Sequence, residues 1–302
     1  MPAASQPRSA RSAAPLPRTG SSSGRPFSRT PYGAGLSWPL PADASCARVA
    51  RGFAREAWEA FRLPAELLDD TVLAVSELAA NAWRHALGGE PRPGPARAGW
   101  TLPELWAYPR GAGASAEMVC GVFDSSADTW PPAHPGPPDL LAAGAPSTLP
   151  PNVIDTGVID AAVIDAGEAG SGRGLAIVRA LSDAAGCQRT RSRLAADSVA
   201  GKVAWFSIRI PAAAPESSAA GITPVQAART LARLLTARGI AAVSRHRGLA
   251  RSTVSTAAGM TVCCQDGAFE GPGGRRGFTD LADVLEDIVW RHEERRCAGR
   301  QG

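Results

Sequence analysis

The 302-residue chain has a single lysine, Lys202, among its 32 basic residues, and only two tyrosines. It also lacks any apolar run near the roughly 18 residues that a membrane span requires. The arginine skew reads as compositional bias. With 28 acidic residues the net charge is a mild +4, and no basic cluster interleaves with aromatics on one periodic face, so direct nucleic-acid binding is not expected. Six cysteines (Cys46, Cys120, Cys187, Cys263, Cys264, Cys297) show no C-x-x-C spacing. The adjacent Cys263 and Cys264 have too few neighbouring ligands to share a metal, so reduced thiols in a cytoplasmic protein are expected. No charged segment followed by an apolar one opens the chain as a secretory signal would. The length points to about two domains.

What is present begins with V-L-A-V-S-E-L-A-A-N-A-W-R-H-A, residues 72–86. At about 100° per residue, Leu68, Val72, Val75, Ala79, Ala82, Trp83 and Ala86 fall on one side of a helix. Glu77, Asn81 and Arg84 fall on the other. Taken alone, such a polar side is what any amphipathic helix shows to water. An acid followed one turn later by an amide is also what a site needs to take a proton and hold a hydrated Mg²⁺.

In chain order, residues 1–35 are rich in Ser, Pro, Ala, Gly and Arg, carry five arginines and no acid, and read as a disordered tail. A short edge strand is expected over 36–40. A helix over 44–61 follows an N-cap signal at Asp43, and the 72–86 helix starts at Pro64 and ends near Gly88-Gly89. Strands are expected over 100–108 and 118–123, joined by a Gly-rich turn. The second is almost wholly apolar and runs into Asp124, which either forms a turn or stands on the floor of a site. Residues 131–170 hold eight prolines up to Pro151 and repeat V-I-D at 153, 158 and 163. That five-residue period fits neither helix nor strand, so the segment reads as a long lid-like excursion. It closes on G-S-G-R-G-L, 170–175, before an apolar-periodic helix over 176–184. This loop is either a plain hinge or an anion cradle at a helix N-terminus. Strands over 186–193 and 203–210 complete the first domain, and 212–221 reads as a linker. A small α-β-β-β-α unit is expected over 222–296: helix 224–239, strands 240–245, 250–255 and 260–264, and helix 279–294.

An acid/amide helix, a strand ending in Asp, a long excursion and a glycine loop opening a helix stand here in one order. That order resembles the GHKL ATPase superfamily of gyrases, heat-shock chaperones, histidine kinases and mismatch-repair ATPases. S-E-L-A-A-N-A-W-R-H-A and G-S-G-R-G-L-A-I-V are similar to motifs of the anti-sigma-factor serine kinases of Gram-positive bacteria, especially actinomycete versions. A-R-V-A-R-G-F-A-R-E-A-W, residues 47–58, is similar to that family's first helix. The resemblance covers about 36–211 and implies an α+β fold, a two-layer α/β sandwich with a mixed sheet of the Bergerat ATP-binding type. It implies ATP and Mg²⁺ as cofactors. Glu77 would orient or deprotonate the attacking hydroxyl, Asn81 would hold the Mg²⁺, and Asp124 would accept from the adenine amino group. Gly170, Gly172, Gly174 and Leu175 would wrap the phosphates with Arg173 near the γ-phosphate, Ser126 would lie against the purine, and His85 and Arg84 would flank the phosphate edge. The usual middle box D-x-G-x-G is here D-S-S-A-D: both glycines are replaced, and Asp128 adds negative charge.

The resemblance further implies a protein serine/threonine kinase that binds a sigma factor and phosphorylates its antagonist, as a homodimer. A nucleotide-gated binding module without phosphate transfer is the second reading, motivated by the altered middle box and the long lid. A histidine kinase is the third, since no dimerisation helix pair with an acceptor histidine precedes the domain. The C-terminal unit resembles small domains appended to some actinomycete relatives and shows no catalytic constellation.

Overall fold

The computed structural model describes residues 35–86, 88–89, 101–111, 116–126, 172–195, 198–211, 222–247, 250–266, 268–272, 276–278 and 280–299. Residues 1–34 of the expected tail, the whole of the expected lid over 131–170, Gly170 included, and the linker lie outside these residues. Five strands, β1 (Leu36–Pro39), β2 (Glu104–Arg110), β3 (Glu117–Asp124), β4 (Ala184–Arg191) and β5 (Ala200–Arg209), form a sheet in the order β1-β2-β3-β5-β4. Where the resemblance implies a mixed sheet, each described pair in it is antiparallel. Three helices, α1 (Cys46–Phe61), α2 (Leu68–Asn81) and α3 (Gly172–Ala180), cover one face. The expected two-layer α/β sandwich is therefore present.

Side chains of a strand alternate between faces, and the sequence obeys this closely. Leu105, Ala107, Met118, Cys120, Val122, Phe206 and Ile208 point to the helices, where they meet Ala50, Phe53, Ala57, Trp58, Val72, Val75, Leu78 and Ala79. Trp38 of β1 stacks on Phe53 of α1 at 5.4 Å between ring centroids. The corner between α1 and α2 is fixed by the Trp58 indole N–H, which donates to the Pro64 carbonyl at 2.7 Å. Asp43 accepts from the Ser45 N–H, so α1 starts at Cys46, two residues later than its cap signal implies.

Two boundaries differ in ways that matter for a site. The α-helical winding of α2 ends at Asn81, and Ala82–Ala86 continues as a wider π-type turn, closed by the Gly89 N–H donating to the Trp83 carbonyl. Such widening is common at functional sites, and it removes His85 from regular helix spacing. α3 begins at Gly172, four residues before the start expected from the apolar period. Gly172 and Gly174 thus lie within its first turn instead of ahead of it.

The C-terminal half forms a second sheet, β10-β9-β8-β7-β6, from β6 (Ala242–Arg247), β7 (Arg251–Thr256), β8 (Thr261–Gln265), β9 (Ala268–Glu270) and β10 (Arg276–Phe278). Two helices, α4 (Pro224–Ala237) and α5 (Leu281–Ala298), bury their apolar stripes against it. Thr223 and Gln226 cap α4 reciprocally. The expected unit of three strands has five, because β9 and β10 are three residues each, too short to show alternation. α5 also lies across the outer face of the first sheet, where Trp106 and Phe123 stack at 5.6 Å beside Val203 and Trp205. A small cavity of about 30 Å³ remains between them, lined by Trp106, Tyr108, Trp205, Asp283 and Glu286 among others.

The approach of β3 to β5 depends on Gly201. A Cβ there would stand 2.2 Å from the Asp124 carbonyl oxygen and 2.7 Å from the Phe123 ring. Backbone cannot yield as a flexible side chain can, so Gly201→Ala is expected to destabilise the chain by about 3 kcal/mol. A lowered urea midpoint with unchanged slope checks this; an unchanged midpoint would mean that the two strands can part at no cost.

Candidate functional site

α2 offers its core side to the sheet and leaves Glu77 and Asn81, both half-buried, one turn apart on the remaining face. Its attachment is firm: Arg51 of α1 donates to the Ser76 hydroxyl at 2.8 Å, and the Thr71 hydroxyl donates to the Leu67 carbonyl at 2.8 Å. The first turn of α3 arrives directly against this pair. Gly174 is buried, and a Cβ on it would lie 2.7 Å from Glu77 Oε2 and 3.6 Å from Asn81 Nδ2. The lack of a side chain at 174 lets the helix N-terminus, with its unpaired N–H groups, come this close to an acid and an amide without displacing the Glu77 carboxylate.

Asn81 Oδ1 is buried and has no hydrogen-bond partner among the described residues. A buried acceptor left in this state costs about 1–3 kcal/mol, so it calls for a donor or a cation. An amide oxygen beside a carboxylate suits a hard, oxygen-seeking ion such as Mg²⁺. Among the described residues no group of three or more His, Cys, Asp and Glu forms a metal cage. Protein contact with such an ion would run through Asn81, with other oxygens completing its shell.

A second group forms at the end of β3. Asp124 pairs in register with Lys202 of β5. By alternation with Val122 and Ala204, both face the helix layer, the same inter-layer space that α2 and α3 roof. Their side chains are only 7% exposed, and Lys202 Nζ stands 3.7 Å from Asp124 Oδ1. Ser126 donates to the same oxygen through its N–H at 3.0 Å and its hydroxyl at 2.5 Å, and Lys202 Nζ donates to the Ser126 hydroxyl at 3.1 Å. Burial raises the Asp124 carboxyl above its ordinary range, and the Lys202 ammonium and the Ser126 bonds only partly offset this. Cys187, near this pair on β4, is pushed up to about 12 by burial. None of the six cysteines is in a disulfide.

The structure thus gathers Glu77, Asn81 and Gly174 at one point, and Asp124 and Ser126 at another. Leu175 is half-buried against the main core. Gly172 and Arg173 open α3. Arg84 and His85 are exposed in the π-type turn, so their place at a phosphate edge gains no contact here. Gly170 and Asp128 lie outside the described residues. Lys202 stands beside Asp124 and Ser126 although the motifs do not mark it; its being the only lysine is a visible signal.

With this geometry in place, the comparisons with known proteins are specific. The family model described as the histidine kinase-like ATPase domain matches residues 40–196, just over half of the chain. No curated protein matches it. No helix among the described residues is long and apolar enough to cross a membrane. The sandwich, the acid/amide helix facing a glycine-opened helix, and the match over both motifs converge: the chain belongs to the histidine kinase-like ATPase domain family.

Proposed function

We propose that the chain is an ATP- and Mg²⁺-dependent protein serine/threonine kinase acting in the cytoplasm as an anti-sigma-type regulator. It would bind a sigma factor and phosphorylate its antagonist, as a homodimer and without touching nucleic acid directly. The observation that carries the reading is the seating of Gly174 on Glu77 and Asn81. Phosphate transfer demands positioning and charge neutralisation more than covalent help; these residues would supply the positioning and a seat for the ion that supplies the charge. Asn81 would hold Mg²⁺ by its unpartnered oxygen. Glu77 would accept the proton of the attacking hydroxyl, and the first turn of α3 would direct its N–H groups at phosphate oxygens. Mg²⁺, when bound, would offset the negative charge of the phosphates. Asp124 and Ser126 would receive the base.

Titration calorimetry tests this. The wild type is expected to bind ATP more tightly with Mg²⁺ than without it. Asn81→Ala is expected to lose about tenfold in Mg²⁺-ATP affinity, on the order of 1.4 kcal/mol, while keeping its Mg²⁺-free affinity. A wild type that binds no ATP would end the proposal. A nucleotide-gated binding module without transfer is the second reading, favoured by the D-S-S-A-D box and by the bonds that already engage Asp124. Nucleotide-dependent capture of a protein partner with no phosphoprotein formed would select it.

A further inference from the structure

Ser198 stands in the turn between β4 and β5 with φ at 52°, a left-handed backbone that glycine adopts freely and serine rarely does. Its hydroxyl accounts for the exception. It donates to the carbonyl of Arg238, just past α4 in the C-terminal unit, and accepts from Arg191 Nη1 at 3.1 Å. Arg191 Nη1 also donates to the Arg238 carbonyl at 3.0 Å, and Arg191 Nε donates to Glu293 of α5 at 2.5 Å. Opposite lies Gly239, itself left-handed with φ at 68°, where a Cβ would stand 2.6 Å from the Ser198 hydroxyl and 2.8 Å from Arg191 Nη1. The joint between the two units has little slack. A residue held in a rarely populated backbone conformation by contacts from another unit marks a place where a switch can be built.

The joint is continuous with the floor of the proposed nucleotide site, and its role rests on that proposal. Arg191 pairs in register with Ala200, and the next residue, Gly201, is packed against the Asp124 carbonyl. The turn is also tied to Glu104, which accepts from the Ser192 hydroxyl and from the Arg193 N–H at 2.9 Å. Glu104 in turn pairs with Phe123, the residue before Asp124. A shift of the strand ends around Asp124 therefore reaches Ser198 through the start of β5, and close-packed elements move between discrete arrangements instead of yielding gradually. We infer that the C-terminal unit is a regulatory domain coupled to the nucleotide site through the Ser198–Arg238 joint. Nucleotide on the floor holds the joint closed, and a closed joint favours nucleotide by the same factor.

Hydrogen exchange of the full chain, read by mass spectrometry with and without Mg²⁺-ATP, tests the coupling. The amides of Arg238, Gly239 and Ile240 are hydrogen-bonded to carbonyls of α4, so their opening is measurable. In the wild type Mg²⁺-ATP is expected to slow exchange over 236–241 by about fivefold or more and to leave β8 of the second sheet unchanged. Ser198→Gly keeps the left-handed turn without strain and removes only the hydroxyl. It is expected to abolish that slowing and to weaken Mg²⁺-ATP binding by about the same factor, although it alters none of Glu77, Asn81 and Asp124. Slowing that survives in Ser198→Gly, or equal slowing in β8, would report a general stabilisation of the fold and overturn the inference. So would nucleotide binding by the wild type that leaves 236–241 unchanged, a comparison that needs no variant. A wild type that binds no Mg²⁺-ATP in calorimetry brings down the nucleotide reading itself, and this inference with it.

Discussion

Replacing Glu286 by alanine is expected to cost the folded chain about 3–5 kcal/mol, although Glu286 lies on α5, remote in sequence from every motif of the first domain. Its carboxylate is buried where α5 crosses the first sheet. It accepts from Arg193 at 2.7 Å, from Arg238 at 3.1 and 3.3 Å, and from the Thr190 hydroxyl at 3.0 Å. Both guanidiniums lie over the Trp106 ring, at 4.1 and 5.2 Å from its centroid. Removing the acid strands two cations between the halves of the molecule, which is worse than losing an attraction. Neighbouring bonds do not compensate, because Arg191 is already committed to Glu293 at 2.5 Å and to the Arg238 carbonyl at 3.0 Å. Urea unfolding near neutral pH measures the loss; a change below about 1 kcal/mol would place the carboxylate in solvent rather than in this interface.

The same carboxylate predicts the pH dependence. Burial pushes Glu286 up, but Arg238 and Arg193 together outweigh it and hold its carboxyl at about 2, against 4.5 for an unperturbed glutamate. Its contribution is therefore fully present above about 4.5 and is lost as pH falls through about 2. Asp280, the N-cap of α5, works in the opposite sense. Burial, reinforced by Asp283, pushes it up to about 7 from 3.8. It therefore stabilises the fold increasingly as pH falls from about 7 toward 3.8. Thermal midpoints are expected to rise as pH falls from about 8 to 5 and to drop at more acid values, and Glu286→Ala is expected to flatten that acid limb.

This interface is invisible to a reading of one strand or helix at a time. Asp283, Glu286 and Glu293 recur on the side of α5 opposite Leu281, Val284, Leu285, Ile288 and Val289, and such a polar stripe ordinarily faces water. It is covered here because Arg110 of β2 meets Asp283, Arg193 and Arg238 meet Glu286, and Arg191 of β4 meets Glu293. Lys202 is hidden for a related reason: its partner at 124 is fixed by strand register, which alternation within β5 does not reveal. By contrast the Glu77/Asn81 pairing is legible, since i and i+4 on one helix face is a local relation. The glycine run points to α3 but not to its first residue. Glycine is a poor helix former, and the packing of Gly174 against Glu77 and Asn81 overrides that preference there. The roles of these residues come from resemblance, as spacing alone leaves a solvated polar face equally open.

Glu77→Gln is expected to reduce phosphate transfer to the protein substrate by at least about 100-fold while leaving ATP affinity within about twofold of the wild type. The carboxylate oxygen lies 2.7 Å from the point where a Gly174 side chain would begin, so an isosteric change is the one that leaves the packing of α3 on α2 as it is. A carboxamide keeps that fit, and the neighbouring Asn81 oxygen is untouched. What it cannot do is accept a proton from an attacking hydroxyl, the one task that separates transfer from binding in the proposed mechanism. Filter binding and transfer of labelled phosphate, run on the same preparation, read the two separately. Loss of both in a folded variant would make Glu77 a support for α3 rather than a base. Retention of both would move the chemistry elsewhere and favour the nucleotide-gated module, in which ATP closes the site and no bond is broken.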